Sequence, residues 1–128
     1  MLAVSMRGAE HAPSVLFAHG FGQTRHAWEA TAATLADRGY RTLSYDARGH
    51  GDSSANAADH PYSATQFTDD LIVLAGEQPE PPVLVAASMG ACSGYWPKRA
   101  GPACFVPSCW STSRHAGTPR VWSASCAS

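Results

Sequence analysis

One serine stands where a nucleophile would be expected. Ser88 follows the apolar run PVLVAA at 82–87 and precedes the small residues MGA at 89–91. A strand that turns so sharply into a helix holds its serine in a strained backbone conformation, with the hydroxyl above the sheet edge. The N–H groups that begin the helix would stabilise developing negative charge. Ser88 would also serve as a helix cap or turn residue, so the surrounding chain must decide between the two interpretations.

The segment HGFG at residues 19–22 could supply hydrogen-bond donors for the same chemistry. It closes the apolar run SVLFA at 14–18, which fits a strand buried on both faces of a parallel sheet. Gly20 and Gly22 let backbone N–H groups approach a ligand closely, which an oxyanion hole needs. We therefore expect HGFG to form a loop at the end of this strand.

A third segment, DARGHGDS at residues 46–53, combines glycine with charge. Its Asp46, Arg48, His50 and Asp52 include side chains of the types that bind metals. No second cluster of ligands with suitable spacing accompanies them. We therefore predict no metal and no cofactor.

Helix and strand patterns separate these segments. Residues 25–38 place Trp28, Ala32 and Leu35 on one helical face, and a glycine follows as a C-terminal stop. The next segment, 40–45, is typical of a strand. A helix followed by a strand is therefore predicted between HGFG and the charged segment.

A second helix is predicted before the serine. Ser63 and Gln66 have the spacing of a capping box, and Phe67, Leu71 and Leu74 then share one face. The order becomes strand, helix, strand, helix, strand, serine. Alternation of this kind implies right-handed crossovers and a parallel sheet with helices on both faces. The predicted fold class is α/β, a partial doubly wound parallel sheet.

The three segments together resemble the α/β-hydrolase fold superfamily. HGFG at 19–22, DARGHGDS at 46–53 and ASMGA at 87–91 stand in the order and context of its local signatures. The resemblance covers residues 2–94 and is to the serine esterase, lipase and cofactor-free haloperoxidase-like branch. An epoxide hydrolase or dehalogenase of the superfamily would usually carry aspartate at position 88.

The resemblance implies a catalytic role for three positions. Ser88 would be the nucleophile, and the backbone N–H groups of Phe21 and Met89 would form the oxyanion hole. Ala86 stands where the usual G-x-S-x-G pattern has its first glycine, a difference of one methyl group. The implied substrate is a small molecule with an ester or similar acyl group.

Other positions are expected to hold the loops rather than to react. His19 would organise its loop through hydrogen bonds, as such histidines commonly do in the superfamily. The charged loop would hold the scaffold together. The residues to which the resemblance gives a structural role are His19, Gly20, Asp46, Gly49 and Gly51.

The expected partners of the serine do not follow it. A serine hydrolase of this fold needs an acid and then a histidine downstream of the nucleophile. No Asp or Glu follows Ser88, and His115 is the only later histidine. Little or no turnover is therefore expected of the chain as written, which would be truncated. The alternative is a non-catalytic remnant or a small binding protein that retains the front half of the fold.

Composition changes abruptly at Tyr95. Residues 95–128 contain no Leu, no Ile and no acidic residue, but three of the four Trp and three of the four Cys. We assign residues 1–94 to the N-terminal part of a hydrolase domain and expect 95–128 to be irregular. A disordered tail is one interpretation, although Trp and Cys are unusual in such tails, and a genuine novel tail is another.

A frameshift is the third interpretation of the tail, and the one we favour. In a frame read two nucleotides later, the first base of each present codon becomes the middle base of a new codon. The codons of SCWS at 108–111 all begin with T if the serines use TCN codons. Since a codon with T in the middle always encodes an apolar residue, this segment becomes four apolar residues. In a GC-rich gene, the chain from Tyr95 can be recoded as LAEAGRPGLFRALVLVDVAPRGDAAGV. This looks like the helix and strand that follow the nucleophile in the superfamily, so the parent gene would encode a longer hydrolase.

Charge and hydropathy exclude several classes of partner. The formal net charge of −1 gives no electrostatic case for nucleic acid. No apolar run approaches membrane-spanning length, and the N-terminal MLAVS is too short for a signal peptide. The cytoplasm is the expected location, and nothing in the sequence predicts an oligomeric state.

Overall fold

The computed structural model describes residues 1–95 and 108–109 of the chain. Strands and helices alternate from β2 to α3, as the sequence predicts. In chain order the elements are strand β1 (Val4–Arg7), strand β2 (Ser14–Ala18), a 3-10 turn (Arg25–Trp28), helix α1 (Glu29–Asp37), strand β3 (Arg41–Tyr45), helix α2 (Ala64–Gly76), strand β4 (Val83–Ala86), helix α3 (Met89–Tyr95) and strand β5 (Ser108–Cys109).

The strands form one sheet in the order β1-β3-β2-β4-β5. Strands β2, β3, β4 and β5 are parallel to one another, which confirms a partial parallel sheet of the α/β type. Strand β1 is an antiparallel edge strand beside β3, and the sequence analysis does not anticipate it. All four of its residues are exposed, so no alternation of apolar and polar residues marks it, and backbone pairing holds it in place.

Two apolar layers cover the faces of the sheet. Helices α2 and α3 pack on one face and α1 packs on the other, as the alternating order predicts. The buried residues of the first layer are Leu16, Ala18, Leu43, Tyr45, Ala47, Leu71, Leu74, Ala75, Leu84 and Ala86. Those of the second are Val15, Phe17 and Ala32, with Trp28, Leu35 and Val85 partly buried against them.

Local sequence sets the ends of the helices. Helix α2 begins with the predicted capping box: the Ser63 hydroxyl accepts from the Gln66 N–H at 3.4 Å, and the Gln66 side chain accepts from the Ser63 N–H at 3.1 Å. Helix α1 starts at Glu29 rather than at Arg25. The Arg25 N–H instead donates to the Asp46 carboxylate at 2.6 Å, so a 3-10 turn precedes the helix.

Two residues of the segment expected to be irregular lie in the sheet. Ser108 and Cys109 pair in parallel with Val85 and Ala86 of β4. The rest of the tail from residue 96 lies outside the described residues. Within the part of the chain that the structure describes, no helix is both long and apolar enough to cross a membrane.

Candidate active site

The register of the sheet brings the three sequence segments to one edge. Ala18 at the end of β2 pairs with Tyr45 at the end of β3 and with Ala86 at the end of β4. Because all three strands are parallel, the loops that follow them leave the sheet at the same edge. Those loops begin with His19, Asp46 and the residue before Ser88, so topology alone makes this edge the candidate site.

Ser88 lies in the turn between β4 and α3 and is exposed. Its φ of 47° makes it the one non-glycine residue of the described chain in the left-handed region. An L-residue is strained there because its Cβ approaches the following carbonyl group. This is the backbone conformation expected for a serine at a strand-to-helix elbow.

Small residues allow the elbow to lie close to β2. The Ala87 N–H donates to the Ala18 carbonyl at 3.0 Å. A Cβ at Gly90 would stand 2.7 Å from both the Cβ and the carbonyl oxygen of Ala18, closer than real Cβ atoms approach. Helix α3 therefore needs glycine at this position. Ala86, where the usual pattern has glycine, is buried in the core, and its methyl group is part of the apolar layer under α2 and α3.

The HGFG loop lies beside the serine. A Cβ at Gly20 would stand 3.5 Å from the Cβ of Ser88, so the two backbones are neighbours across the edge. The backbone N–H groups of Phe21 and Met89 donate to no acceptor within the described residues. The side chain of Phe21 is 80% exposed and meets the His50 ring edge-on at a centroid distance of 5.7 Å. Both N–H groups are thus available to a ligand, and their role in an oxyanion hole stays a prediction.

His19 is buried, and both of its ring nitrogens are hydrogen-bonded. Nε2 accepts from the Ala47 N–H at 2.9 Å, so Nδ1 carries the proton and donates to the Gly20 carbonyl at 2.8 Å. Burial lowers the pKa of His19, against an opposing effect of its bond to Gly20. The neutral ring joins the HGFG loop to the charged loop, which is the kind of contact that the predicted structural role requires.

The Asp46 carboxylate is completely buried and is the centre of the charged loop. It accepts from the N–H of Asp52 at 2.9 Å and pairs with the guanidinium of Arg25, in addition to the bond from the Arg25 N–H. Burial by itself would raise the pKa of Asp46. The hydrogen bonds from Arg25 and Asp52 outweigh burial, so this pKa lies below its usual value. Asp46 joins the loop to the turn before α1 and is not free to react.

Both glycines of the charged loop have positive φ, and Gly51 also lies against the buried Asp46 carboxylate. Gly51 has φ 50°, and a Cβ there would stand 2.2 Å from a carboxylate oxygen of Asp46. Gly49 has φ 75°, and its Cβ would stand 2.4 Å from the Tyr62 hydroxyl. Both positions agree with the structural roles that the resemblance implies, and those roles stay predictions.

The sequence analysis missed two residues that hold these loops. Arg25 also pairs with Asp52 at 2.8 Å. Gln23 hydrogen-bonds both backbone groups of Gly20: its side chain accepts from the N–H, and its own N–H donates to the carbonyl. A cation at the start of a helix is slightly unfavourable beside the helix dipole, so Arg25 carried only a weak signal of a nearby carboxylate. Gln23 carried no such signal, since a loop glutamine is compatible with many contacts.

The described residues do not complete a catalytic triad. No described histidine or carboxylate hydrogen-bonds Ser88, and His115 lies outside the described residues. His50, in the loop after β3, instead has its ring centroid 5.1 Å from that of His19. Among the described residues, the arrangement therefore contains an exposed hydroxyl on a strained backbone and two free N–H donors, but no base in contact with the hydroxyl.

One groove of the described chain lies beside helix α2. It has a volume of about 500 Å³ between the N-terminus and α2, and its lining includes Met1, Arg48, Asp70 and Val73 but not Ser88. Arg48 and Asp70 form a two-pronged ion pair there, with contacts of 2.7 and 2.6 Å. Within residues 1–95 and 108–109, no group of three or more His, Cys, Asp or Glu side chains has the geometry of a metal site.

Known proteins of one family are similar to this chain. The chain is 42% identical to an epoxide hydrolase of Caballeronia sordidicola over 73 residues, which cover 57% of the chain and 22% of that protein. It is 30% identical to 3-oxoadipate enol-lactonase 1 of Acinetobacter baylyi, covering 74% of the chain and 35% of the enzyme. A thioesterase domain from the curacin biosynthetic pathway has a TM-score of 0.68 at 34% identity, covering 73% of the chain and 35% of the domain.

These comparisons agree with a partial fold of the α/β type. The chain spans between about a fifth and a third of the length of these relatives. A family model described as "Alpha/beta hydrolase family" matches residues 15–123, which are most of the chain. The chain belongs to the α/β-hydrolase family.

Proposed function

We propose that this chain carries the nucleophile half of a serine hydrolase that acts on an ester or similar acyl group. The observation that carries the proposal is Ser88 itself, exposed at φ 47° between β4 and α3. Strained residues of this kind cluster at active sites, and the nucleophile elbow is one such site. The substrate class, a small acyl compound, and a cytoplasmic location are carried over from the sequence analysis.

The chemistry follows from the groups at the sheet edge. The Ser88 oxygen bonds to the carbonyl carbon, and the N–H groups of Phe21 and Met89 stabilise the charge that develops on the carbonyl oxygen. The bond to the leaving group then breaks, and an acyl group remains on Ser88. Since no base among the described residues contacts Ser88, the serine proton passes to solvent, and we expect acylation and deacylation both to be slow. Triad removal in serine proteases leaves roughly 10³ to 10⁴-fold acceleration over water.

A serine at the elbow favours acyl transfer over epoxide opening. Relatives named epoxide hydrolases match this chain, yet an epoxide hydrolase of the superfamily would usually carry aspartate at the elbow. The lactonase and the thioesterase domain are named for acyl substrates. We therefore assign the chain to acyl chemistry within the family.

We also infer that the tail from Tyr95 is out of frame and that the parent protein is longer. The loss of acidic residues and leucine at this point supports the inference. Sequencing the gene from the codon of Ala87 onward is the test. A small correction near Gly94 that opens a frame with an Asp and a later His is expected, and intact codons for the present tail would refute the inference.

A non-catalytic binding protein is the second candidate, and two observations favour it. No acid follows Ser88 in the sequence, and no described base contacts its hydroxyl. Such a protein would keep the exposed sheet edge as a binding surface without forming an acyl adduct. The experiment below separates the two candidates.

The test is acylation of the purified chain by 4-nitrophenyl acetate, followed by peptide mapping. We expect slow, stoichiometric acetylation of Ser88 that is absent in Ser88→Ala, with no sustained turnover. A chain whose Ser88 remains unmodified while the amino groups react would be the binding protein instead. Incubation with styrene oxide in parallel is expected to yield neither diol nor adduct, and diol formation would move the assignment to epoxide chemistry.

A further inference from the structure

The Gly20 carbonyl group, in the HGFG loop, accepts two hydrogen bonds. The Gly20 carbonyl accepts from the His19 Nδ1–H at 2.8 Å and from the Gln23 backbone N–H at 3.1 Å. The second of these bonds closes a tight turn, in which Gly22 has φ 72°. The turn therefore fixes the orientation of the Gly20 carbonyl.

A fixed carbonyl also fixes the next N–H group. The peptide bond is planar and trans, so the Phe21 N–H points away from the Gly20 carbonyl. Donors on that carbonyl also polarise the peptide and strengthen the N–H as a donor. The orientation and strength of the Phe21 N–H thus depend on the two groups that bond Gly20.

The Gln23 side chain makes a further contact to the same glycine. Its Oε1 accepts from the Gly20 N–H at 3.0 Å. The Gly20 N–H is therefore occupied, whereas the Phe21 N–H donates to no acceptor within the described residues. Gly20 itself lies between this side chain and the serine, because a Cβ on Gly20 would stand 3.0 Å from Gln23 Oε1 and 3.5 Å from Ser88 Cβ.

We propose that Gln23 is a positioning residue for acyl transfer: by bonding both polar groups of Gly20, it aims the Phe21 N–H at the oxyanion of the Ser88 adduct. This rests on the proposed function, because the oxyanion forms only if Ser88 attacks a carbonyl. The backbone bond alone would close the turn. The side-chain bond adds a second constraint that prevents the loop from rotating about Gly20.

Gln23→Met tests the proposal, because methionine keeps the length of the side chain and removes the oxygen acceptor. Gln23→Glu keeps an oxygen acceptor for the Gly20 N–H. Gln78→Met is the matched control: Gln78 also bonds the backbone, at Leu74, and it contacts Arg41 at the opposite edge of the sheet. The measurements are the acylation rate of Ser88 at increasing 4-nitrophenyl acetate, amide exchange at Gly20, and the amide resonance of Phe21.

In Gln23→Met we expect the limiting acylation rate to fall about tenfold, with the half-saturating ester concentration unchanged, because a donor to the transition state is misplaced. Exchange at Gly20 should accelerate in Gln23→Met but not in Gln23→Glu, and Gln78→Met should leave acylation and Gly20 exchange unchanged. Unchanged acylation in Gln23→Met, or unchanged Gly20 exchange, would overturn the proposal.

The failure of the proposed function would look different. If wild-type Ser88 is never acylated, the acyl chemistry fails for all variants alike. The Phe21 amide resonance then decides the positioning claim. A resonance that moves in Gln23→Met and not in Gln78→Met supports it, and one that stays in place refutes it.

Discussion

The loop after β3 and the elbow after β4 leave the same edge of the sheet and are held by different forces. The loop after β3 is fixed by a buried carboxylate, Asp46, which bonds Arg25 and the Asp52 N–H. The elbow is fixed by close packing of small residues, with Gly90 against Ala18, and its polar residue Ser88 is exposed. The polar groups that hold the loop after β3 hydrogen-bond within the protein, whereas those of the elbow are free to bind a ligand.

The largest difference between the two regions should appear when Asp46 is removed. Asp46→Ala leaves the Arg25 guanidinium, whose side chain is 15% exposed, without its buried partner. We expect a loss of about 3 kcal/mol or more in the free energy of unfolding, measured by urea denaturation. The control is Asp52→Ala, since the Asp52 side chain is 74% exposed and its pairing with Arg25 should contribute at most about 1 kcal/mol. Equal losses in the two variants would contradict the central role of Asp46.

Removing the glycine at the elbow should have the next largest effect. In Gly90→Ala, the new Cβ would meet backbone and Cβ atoms of Ala18, and neither can move without shifting β2. We expect a loss of about 1 to 3 kcal/mol, the usual range for overpacking, together with slower acylation of Ser88. Gly76→Ala at the end of α2 is the matched control, because nothing lies within 4 Å of its Cβ position. That variant should be neutral or slightly more stable, and a comparable loss there would refute the packing argument.

Acid should weaken the loops in two separate steps. Burial lowers the pKa of His19, so the unfolded chain takes up a proton below about pH 6.5 while the folded chain resists it. Stability then falls as pH falls from that value. Asp46 has a lowered pKa as well, so its contribution is complete above about pH 4 and is lost at lower pH as the folded carboxylate becomes protonated.

His19→Asn separates the two steps. The variant removes the ring, so the decline that starts near pH 6.5 should become smaller while the decline below pH 4 remains. The free energy of unfolding, measured from about pH 8 to about pH 3, shows both declines, the upper limb that starts near pH 6.5 and the lower limb below about pH 4. A variant that keeps the full upper limb would assign it to other histidines.

The two regions also differ in how far the sequence predicts them. Periodicity and capping predict α2 correctly, because Ser63 and Gln66 act within one turn of the chain and Leu71 and Leu74 repeat on one face. The elbow at Ser88 is equally local, since small residues around one serine specify it. The partnership of Arg25 with Asp46 spans 21 positions, and no periodic pattern connects two such residues. Strand β1 was missed for a related reason: its exposed residues have no buried face, and only pairing with β3 makes it a strand.

The smallest effect separates strain from chemistry at the elbow. Ser88→Ala and Ser88→Gly both remove the hydroxyl, so acylation at position 88 should be lost in each. Alanine keeps the Cβ that is strained at φ 47°, and glycine does not. We therefore expect Ser88→Gly to be about 1 kcal/mol more stable than Ser88→Ala, measured by urea denaturation. Equal stabilities would mean that the backbone at Ser88 relaxes without cost, and the argument that a strained conformation is kept for a nucleophile would lose its main support.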